Sequence, residues 1–322
     1  GAGAKPAAKR TGRVAVIGSG PAGLSAAYYL ARMGFQAHVY DRDPRPGGVA
    51  RHAIPRYRLP DGSFEKQQEV FERAGISFHY GRDLGAEEVH SLSRSHDAVF
   101  IAAGLQKSSE FPLRGSDLPG VRQALYFLRG DPESEARSIG GRVVVIGGGN
   151  VAMDTARTCR RLGAEVVISY RRRIVDMPAD EEEIREAEEE GVDIRPQTIP
   201  AGIDRTDGGL RYVYLEEEMV PSKGEGRPKP VPRDEVEHPI AADTVFMAIG
   251  QTPDLGFIPQ ELEKSIDVRH GRIQVDDHQY TGVANIYAGG DITPGAGDIV
   301  TAVADGMRAA RAIAGRISQK EE

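Results

Sequence analysis

Two glycine turns, each set between an apolar strand and a helix of small residues, limit what this chain can fold into. The first is Val14-Ala15-Val16-Ile17-Gly18-Ser19-Gly20-Pro21-Ala22-Gly23. The second is Val143-Val144-Val145-Ile146-Gly147-Gly148-Gly149-Asn150-Val151-Ala152. Both read strand, G-x-G-x-x-G/A, helix, the pattern by which a chain holds a pyrophosphate. The first Gly permits a tight turn and the second lets backbone approach phosphate. The third position, Gly23 or Ala152, lets helix and strand pack closely, with the helix N-terminus facing the anion. A lone match carries little weight. Two in full context on 322 residues imply two bound dinucleotides and electron transfer between them. The fold class that follows is α/β, with two Rossmann-like dinucleotide-binding domains, the second inserted into the first.

The length suits two domains of ordinary size. A net charge of −7 argues against nucleic acid as the main partner. No apolar run reaches the ~18 residues of a membrane span. Gly1 to Arg10 is small, polar and basic, without the apolar stretch of a signal peptide. Residues 1–11 read as a tail or linker, and a cytoplasmic protein is expected. The single cysteine, Cys159, excludes an intrachain disulfide, a Cys-x-x-Cys pair or a cysteine-ligated iron–sulfur cluster within this sequence. Set among Ala152, Thr155, Ala156 and Leu162, it reads as a small buried hydrophobe rather than a reactive thiol.

Residues 13–41 form one βαβ unit, with a helix stopped by Gly34 and a strand ending in Asp41. Asp41 lies 18 positions after Gly23, near the roughly 20 expected of a carboxylate that takes ribose hydroxyls; Asp43 is the rival. Residues 42–60 read as a Pro/Arg-rich loop, followed by a helix from Ser63 to Ala74 and strands at 76–80 and 98–102. A Pro/Gly-rich connector at 112–120 marks the passage into a second domain. The second βαβ unit spans 142–170 and ends in Arg171-Arg172-Arg173, where the first ends in an acid. An acid there repels a 2′-phosphate, whereas guanidinium groups pair with it bidentately, so the second site is expected to prefer NADPH. The acidic run 180–190 suits a helix with a solvated face and is assigned no chemistry. Residues 211–220 and 228–247 read as a strand meander interrupted by the loop 221–230, and Val245 to Gly250 as another buried strand entering a glycine turn, which would return the chain to the first domain. Asp291, at the end of the buried strand 285–288, is either a helix-side cap or a holder of a flavin's ribityl hydroxyl. The helix from Ile299 would then point its positive end at the flavin edge that gains charge on reduction.

Taken together, these segments resemble the two-dinucleotide-binding flavoproteins, and among them the small (beta) subunit of NADPH-dependent glutamate synthase and its relatives. The likeness spans about residues 12–317. Its most specific matches are Pro46-Gly47-Gly48 through Arg51 to Arg58-Leu59-Pro60, which is similar to a flavin-covering segment. Gly147 to Asp154 with Tyr170-Arg171-Arg172 and Met177-Pro178 is another, and Ala248 to Pro253 with Ala288-Gly289-Gly290-Asp291 the third. The resemblance implies domains at 12–113 (FAD, first part), 114–250 (NADPH) and 251–322 (FAD, second part). Hydride would pass directly between nicotinamide and flavin, with no side-chain acid or base. Electrons would leave through iron–sulfur clusters to a ferredoxin or a catalytic partner subunit. By position, Gly18, Ser19, Gly20, Pro21, Ala22, Gly23, Asp41, Arg42, Gly48, Arg51, Ala103, Gly104, Gly290, Asp291, Ile299 and Val300 match FAD contacts. Gly148, Gly149, Asn150, Val151, Arg171, Arg172 and Gly250 match NADPH contacts, with Asp154 near the nicotinamide.

Three departures bear on these expectations. The family's N-terminal cysteine-rich domain has no counterpart before the first strand, which implies a fragment or clusters supplied by another polypeptide. Asp41 stands where Glu is commoner. His52-Ala53 replace a Tyr-Gly beside the flavin, where His52 would either tune the flavin or simply pack. The competing function class is a non-catalytic flavin- and NADPH-binding assembly or sensor subunit. For that role Arg42, Arg45, Arg51, Arg56 and Arg58 would offer a basic docking face.

Overall fold

The computed structural model describes residues 11–60, 62–220, 229–295 and 297–321, side chains through position 319. The expected tail, Thr11 excepted, and most of the loop 221–230 lie outside them. The chain divides into two compact units. One comprises Gly1–His52, Arg56–Lys107 and Thr252–Glu322, the other Ala53–Pro55 and Ser108–Gln251.

In the first unit β1 (Arg13–Ile17) enters the glycine turn, followed by α1 (Pro21–Arg32) and β2 (Gln36–Tyr40). Then come α2 (Gly48–His52), α3 (Gly62–Arg73), β3 (Ser77–His79), α4 (Ala86–Ser95) and β4 (Ala98–Ile101). The short β5 (Lys107–Ser108) leads into the second unit. There β6 (Val121–Gln123), α5 (Ala124–Arg129), β7 (Arg142–Ile146), α6 (Asn150–Arg161), β8 (Glu165–Tyr170), α7 (Glu181–Glu189) and β9 (Asp193–Pro196) are followed by β10 (Thr198–Thr206), β11 (Gly209–Val220), β12 (Lys229–Ala242) and β13 (Thr244–Met247). The chain returns through β14 (Gln251–Thr252) to α8 (Gln260–Glu263), β15 (Val268–Arg269), β16 (Arg272–Ile273), β17 (Ile286–Ala288) and α9 (Ile299–Glu321).

The first unit's sheet runs β17-β4-β1-β2-β3, and every pairing in it is parallel. This is the 3-2-1-4-5 order of a doubly wound dinucleotide-binding fold. Strand β1 is apolar without alternation because both its faces are covered. Val14 and Val16 pack with Leu30, Ala309 and Ile313 on one side, while Ala15 and Ile17 meet Val99, Ile101 and Ile273 on the other. Helices α1 and α9 lie close enough for the Ser25 hydroxyl to donate to the Val303 carbonyl at 2.7 Å.

The second unit repeats the plan as β6-β13-β7-β8-β9, again all parallel, beside an antiparallel meander β10-β11-β12. The expected meander over 211–247 is corrected in two respects. Residues 198–206 supply its third strand, and β13 leaves it to pair between β6 and β7. The reason is burial: every residue of β13 is buried, as in a central parallel strand, whereas β12 is largely exposed. The segment 42–60 is also not loop throughout, since α2 forms within it with Ala50 buried.

The acidic run is more than a solvated face. Its inner side carries Glu183, Glu186 and Glu190, all three paired to Arg157 of α6, whose side chain is 4% exposed. Arg157 Nη1 lies 2.6 Å from Glu183 and from Glu186, and Nη2 is 2.9 Å from Glu190.

Candidate functional site

In the first unit the glycine turn is built for close approach. Gly18 sits at φ +104°, where a Cβ would lie 2.4 Å from the Ala102 carbonyl oxygen. A Cβ on Gly23 would lie 2.0 Å from the Gly18 carbonyl, so α1 rests directly on the turn. Gly20 differs: a Cβ there meets nothing within 4 Å. It is the N-cap of α1, no side chain caps it, and Pro21 follows at the first helical position. The free N–H groups of this first turn, through Ala22 and Gly23, therefore open onto space that suits an anion.

Asp41 stands at the end of β2 as expected, and it also braces the turn. Its Oδ2 accepts the Ser19 backbone N–H at 2.5 Å and the Ser19 hydroxyl at 2.6 Å, and Oδ1 accepts the Asp43 N–H at 2.8 Å. Carboxylate oxygens accept more than one hydrogen bond, so capacity for a ribose hydroxyl remains. The Gly47 N–H donates to Ser19 at 2.8 Å, which brings Gly48 against Gly20. Helix α2 then aims Arg51 inward. Its side chain is 5% exposed, pairs with Glu65 at 2.6 Å and lies over the Phe64 ring. Arg51 Nη1 is buried with no hydrogen-bond partner, a cationic donor placed for an anion.

The remaining first-unit residues divide. Arg42 donates to the Gln106 side chain at 2.7 Å, and Gln106 donates to the Ala103 carbonyl at 2.8 Å, next to Gly104 at φ +64°. His52 turns its Nε2 to the Arg45 carbonyl at 3.3 Å, with Asp43 at 3.9 Å. With its side chain buried, Arg51 does not join a basic docking face, whereas Arg42 stays exposed. At the other end, Asp291 follows Gly290. Burial pushes the Asp291 carboxyl up, opposed by Arg272, which donates to the Asp291 backbone carbonyl. Ile299 and Val300 open α9, and Val300 is 78% exposed. The positive end of α9 is already met by Asp298, whose Oδ1 accepts the Thr301 N–H at 2.6 Å. That bond holds the Asp298 carboxyl below its usual range.

Two functional supports escaped the sequence reading. Asp305 and Arg272 both hold the turn around Asp291. For Asp305 a signal existed: Ala302, Asp305, Gly306, Ala309 and Ile313 recur at one helix face, and an acid on that small-residue stripe needs a buried partner.

The second unit repeats the geometry. Gly147 sits at φ +145°, with a would-be Cβ 2.2 Å from the Ala248 carbonyl. Gly148 lies against the Tyr170 ring, and Gly149 is the uncapped N-cap of α6. Asn150 and Asp180 are joined twice: Asn150 Nδ2 donates to Asp180 at 3.1 Å, and the Asp180 N–H donates to Asn150 Oδ1 at 3.0 Å. The Ala179 N–H reaches the Gly148 carbonyl at 3.1 Å, so Met177-Pro178-Ala179 is fastened beside the turn. Val151 accepts the Thr155 hydroxyl at 2.7 Å. Asp154 is buried within α6 beside Met153 and Thr155. Gly250, at φ +110°, accepts the Ser109 N–H at 3.0 Å.

Of the three arginines after β8, Arg173 is engaged by Asp176 at 2.8 Å. Arg171 is exposed and Arg172 half-buried, and Arg172 Nε is buried without a hydrogen-bond partner. Two guanidiniums thus remain where a strand-end carboxylate stands in the first unit. Cys159 is buried, and burial pushes its thiol up to about 12, which makes it inert as a nucleophile.

The sequence matches the pyridine nucleotide-disulphide oxidoreductases over residues 12–306. The chain belongs to that family. Within it, the chain is 40% identical to the NADP(+)-dependent formate dehydrogenase subunit beta of Moorella thermoacetica over 314 residues, covering 94% of this chain and 43% of that one. It is 36% identical to the small chain of the NADPH glutamate synthase of Escherichia coli over 332 residues, covering 95% and 69%. Among solved structures it is similar to Mycobacterium tuberculosis FprA in complex with NADPH, with a TM-score of 0.80 at 21% identity over 97% of this chain and 86% of that one. That last likeness bears on the fold alone. The chain spans about half the length of the first curated relatives it matches, 43% to 50%. One cysteine in 322 residues leaves this family member without the dithiol of the family's name. No helix among the described residues is long and apolar enough to cross a membrane.

Proposed function

We propose that this chain is an FAD-dependent oxidoreductase module that takes hydride from NADPH and passes electrons to an iron–sulfur protein, a ferredoxin or a catalytic partner subunit, in the cytoplasm. The observation that carries the reading is the contrast between two otherwise matching turns. One strand end offers Asp41, which suits ribose hydroxyls. The other offers Arg171 and Arg172, which suit a 2′-phosphate.

The first unit's residues fit FAD. The open space at Gly20 and the uncapped start of α1 would take the pyrophosphate, Asp41 the ribose, and the unpartnered Arg51 Nη1 an anionic or carbonyl oxygen. Gly290 and Asp291 would receive the flavin end. Bound there, FAD supplies a two-electron acceptor that can release electrons singly. In the second unit the start of α6 would hold the NADPH pyrophosphate, and Arg171 with Arg172 would bind its 2′-phosphate. The fastened Met177-Pro178-Ala179 segment would wall the site. The names of the relatives, a formate dehydrogenase subunit beta and a glutamate synthase small chain, support electron delivery to a larger assembly.

The test is an anaerobic titration of purified protein with NADPH and, separately, NADH, following flavin absorbance. Bleaching by NADPH at much lower concentration than NADH is expected. A yellow protein that neither nucleotide bleaches would favour the assembly or sensor role. A protein that cannot be loaded with FAD would end the flavoenzyme reading.

A further inference from the structure

A buried carboxyl on the strand fastened to the end of β8 is not used by the site as described. Glu217 is on β11 at a bulge, where the register against β12 shifts between Leu215 and Glu217. It is 4% exposed, and neither carboxyl oxygen has a hydrogen-bond partner. Its backbone is fastened to the end of β8 through one residue. The Glu217 N–H donates to the Gln197 carbonyl at 2.9 Å, and Gln197 Nε2 donates to the Glu217 carbonyl at 3.1 Å. The Gln197 N–H in turn donates to the Arg172 carbonyl at 3.0 Å. Gln197 holds the left-handed conformation, φ +57°, to make this clamp, a strained choice for a residue with a side chain.

The groups around the carboxyl are few. From the end of β8, Arg171 and Arg172 are the cations whose field reaches it. On its own strand, Tyr212 is the titratable neighbour, its hydroxyl engaged with Ser169 at 2.6 Å. From β10, Thr198 is bonded to Ser169 at 2.7 Å. From β12 the register partner is Pro232, and the adjacent Arg233 pairs with Glu216 instead, at 3.8 Å.

We infer that Glu217, clamped through Gln197 to the arginine pair, sets its specificity: ionised, it offsets the field with which Arg171 and Arg172 attract a ligand's 2′-phosphate, and protonated, it leaves that field undiminished. The inference rests on the reading of the second site as an NADPH site. A carboxylate on which the two guanidiniums' charge acts offsets their field in turn, and a bound phosphate drives the carboxyl toward its neutral acid. Burial pushes this carboxyl up to about 7, against the pull of the two arginines, so the exchange falls at neutral pH. Below that value the acid is already neutral and opposes nothing. One unit above it, the carboxylate must take up a proton before the phosphate binds, which weakens binding up to about tenfold.

The experiment is calorimetric binding of 2′,5′-ADP and of 5′-AMP to the purified chain and to Glu217→Gln and Glu217→Met, at pH 6 and pH 8. The phosphate's own titration is common to all three proteins and cancels in their ratios. Both variants are expected to bind 2′,5′-ADP as the unaltered chain does at pH 6 and about tenfold tighter at pH 8, with 5′-AMP unchanged. Either variant suffices if the other fails to fold. A variant-to-parent ratio that is the same at both pH values, with 2′,5′-ADP still preferred, overturns the role of Glu217 and leaves the NADPH site standing. A parent chain that binds both nucleotides equally at both pH values overturns the NADPH site and this inference with it.

Discussion

Asp305 of α9 accepts the backbone N–H of Gly290 at 2.9 Å, and through that bond a helix fixes the turn that follows β17. The same carboxylate takes Gln279 Nε2 at 3.4 Å and the Arg308 guanidinium. Gly290 stands at φ +73° and sits against Ala22, where a Cβ would come within 2.9 Å. The position of Asp291 thus depends on a residue far along the chain.

Replacing Asp305 tests that dependence. Asp305→Ala leaves the buried Gly290 N–H without an acceptor, which costs about 1–3 kcal/mol. Asp305→Asn keeps an acceptor oxygen and loses less. Thermal melts and the flavin-to-protein absorbance ratio of purified protein should rank parent, Asn and Ala in that order. Equal flavin content in all three would remove Asp305 from the support of the site.

Adjacent glycines of the second turn should separate stability from binding. A Cβ on Gly148 would lie 2.5 Å from the Tyr170 ring, and Tyr170 is tied down by its hydroxyl, which donates to the Asp176 carbonyl at 2.7 Å. Gly148→Ala therefore destabilises by about 1–3 kcal/mol through overpacking. At Gly149 φ is −96°, and the nearest atom to a Cβ is Pro178 Cγ at 3.8 Å. Gly149→Ala should fold with a stability change within about 0.5 kcal/mol, yet weaken nucleotide binding about tenfold or more by filling the phosphate approach. Denaturant melts and nucleotide titrations on the two variants read the contrast.

Acid should loosen the first unit through its histidines. The His38 ring lies 5.8 Å from His79 and 5.5 Å from His96, and all three Nε2 atoms are buried without a hydrogen-bond partner. Burial, and then the charge of Arg13, hold His38 and His96 below the ordinary histidine value of 6.5. The unfolded chain therefore binds protons that the folded one refuses. The histidine contribution to stability is complete above 6.5 and declines as pH falls through that value toward the lowered folded pKa. The histidine contribution, read as the melting temperature of the parent minus that of His38→Gln/His96→Gln, should be flat from about 8 to 6.5 and drop below, since the raised Glu217 carboxyl is common to both proteins and cancels. A difference between the two proteins that does not change with pH would assign acid sensitivity elsewhere.

From within α6, Arg157 holds two glutamates of α7 and Glu190 just past its end. Arg157→Met strands Glu183, which is itself buried, and should cost about 3–5 kcal/mol. Adding Glu183→Leu should recover part of that loss. Urea unfolding of the single and double variants measures both, and a single variant as stable as the parent would mean the cluster is mere surface pairing.

Much of the fold was open to reading from local pattern. The runs Val14–Ile17 and Val143–Ile146 read as buried strands because parallel strands covered on both faces lose polar alternation. The spacing from Gly18 to Gly23 announces a turn into a helix because Gly18 takes a positive φ and Gly23 rests on the Gly18 carbonyl, both demands of the turn itself, while Gly20 is left open for a ligand's approach. Strand β13 was legible as a buried strand from its apolar run, Val245 to Ile249, yet that run overlapped the end of the expected meander. Only its place between β6 and β7 removes it.

The amino-acid sequence by itself determined the two glycine turns, the acid at one strand end, the arginines at the other and the absence of a dithiol, because each follows from spacing or residue chemistry at short range. Tertiary structure alone decided which charged groups are spent and which are left over. Arg173 is taken by Asp176 and Arg157 by the glutamates of the acidic run, whereas Arg51 Nη1, Arg172 Nε and the Glu217 carboxyl remain buried without hydrogen-bond partners. Burial and partnership depend on which distant segments become neighbours. Glu217 and Arg172 are brought together by strand pairing and the Gln197 clamp, and no local pattern around either residue carries that information.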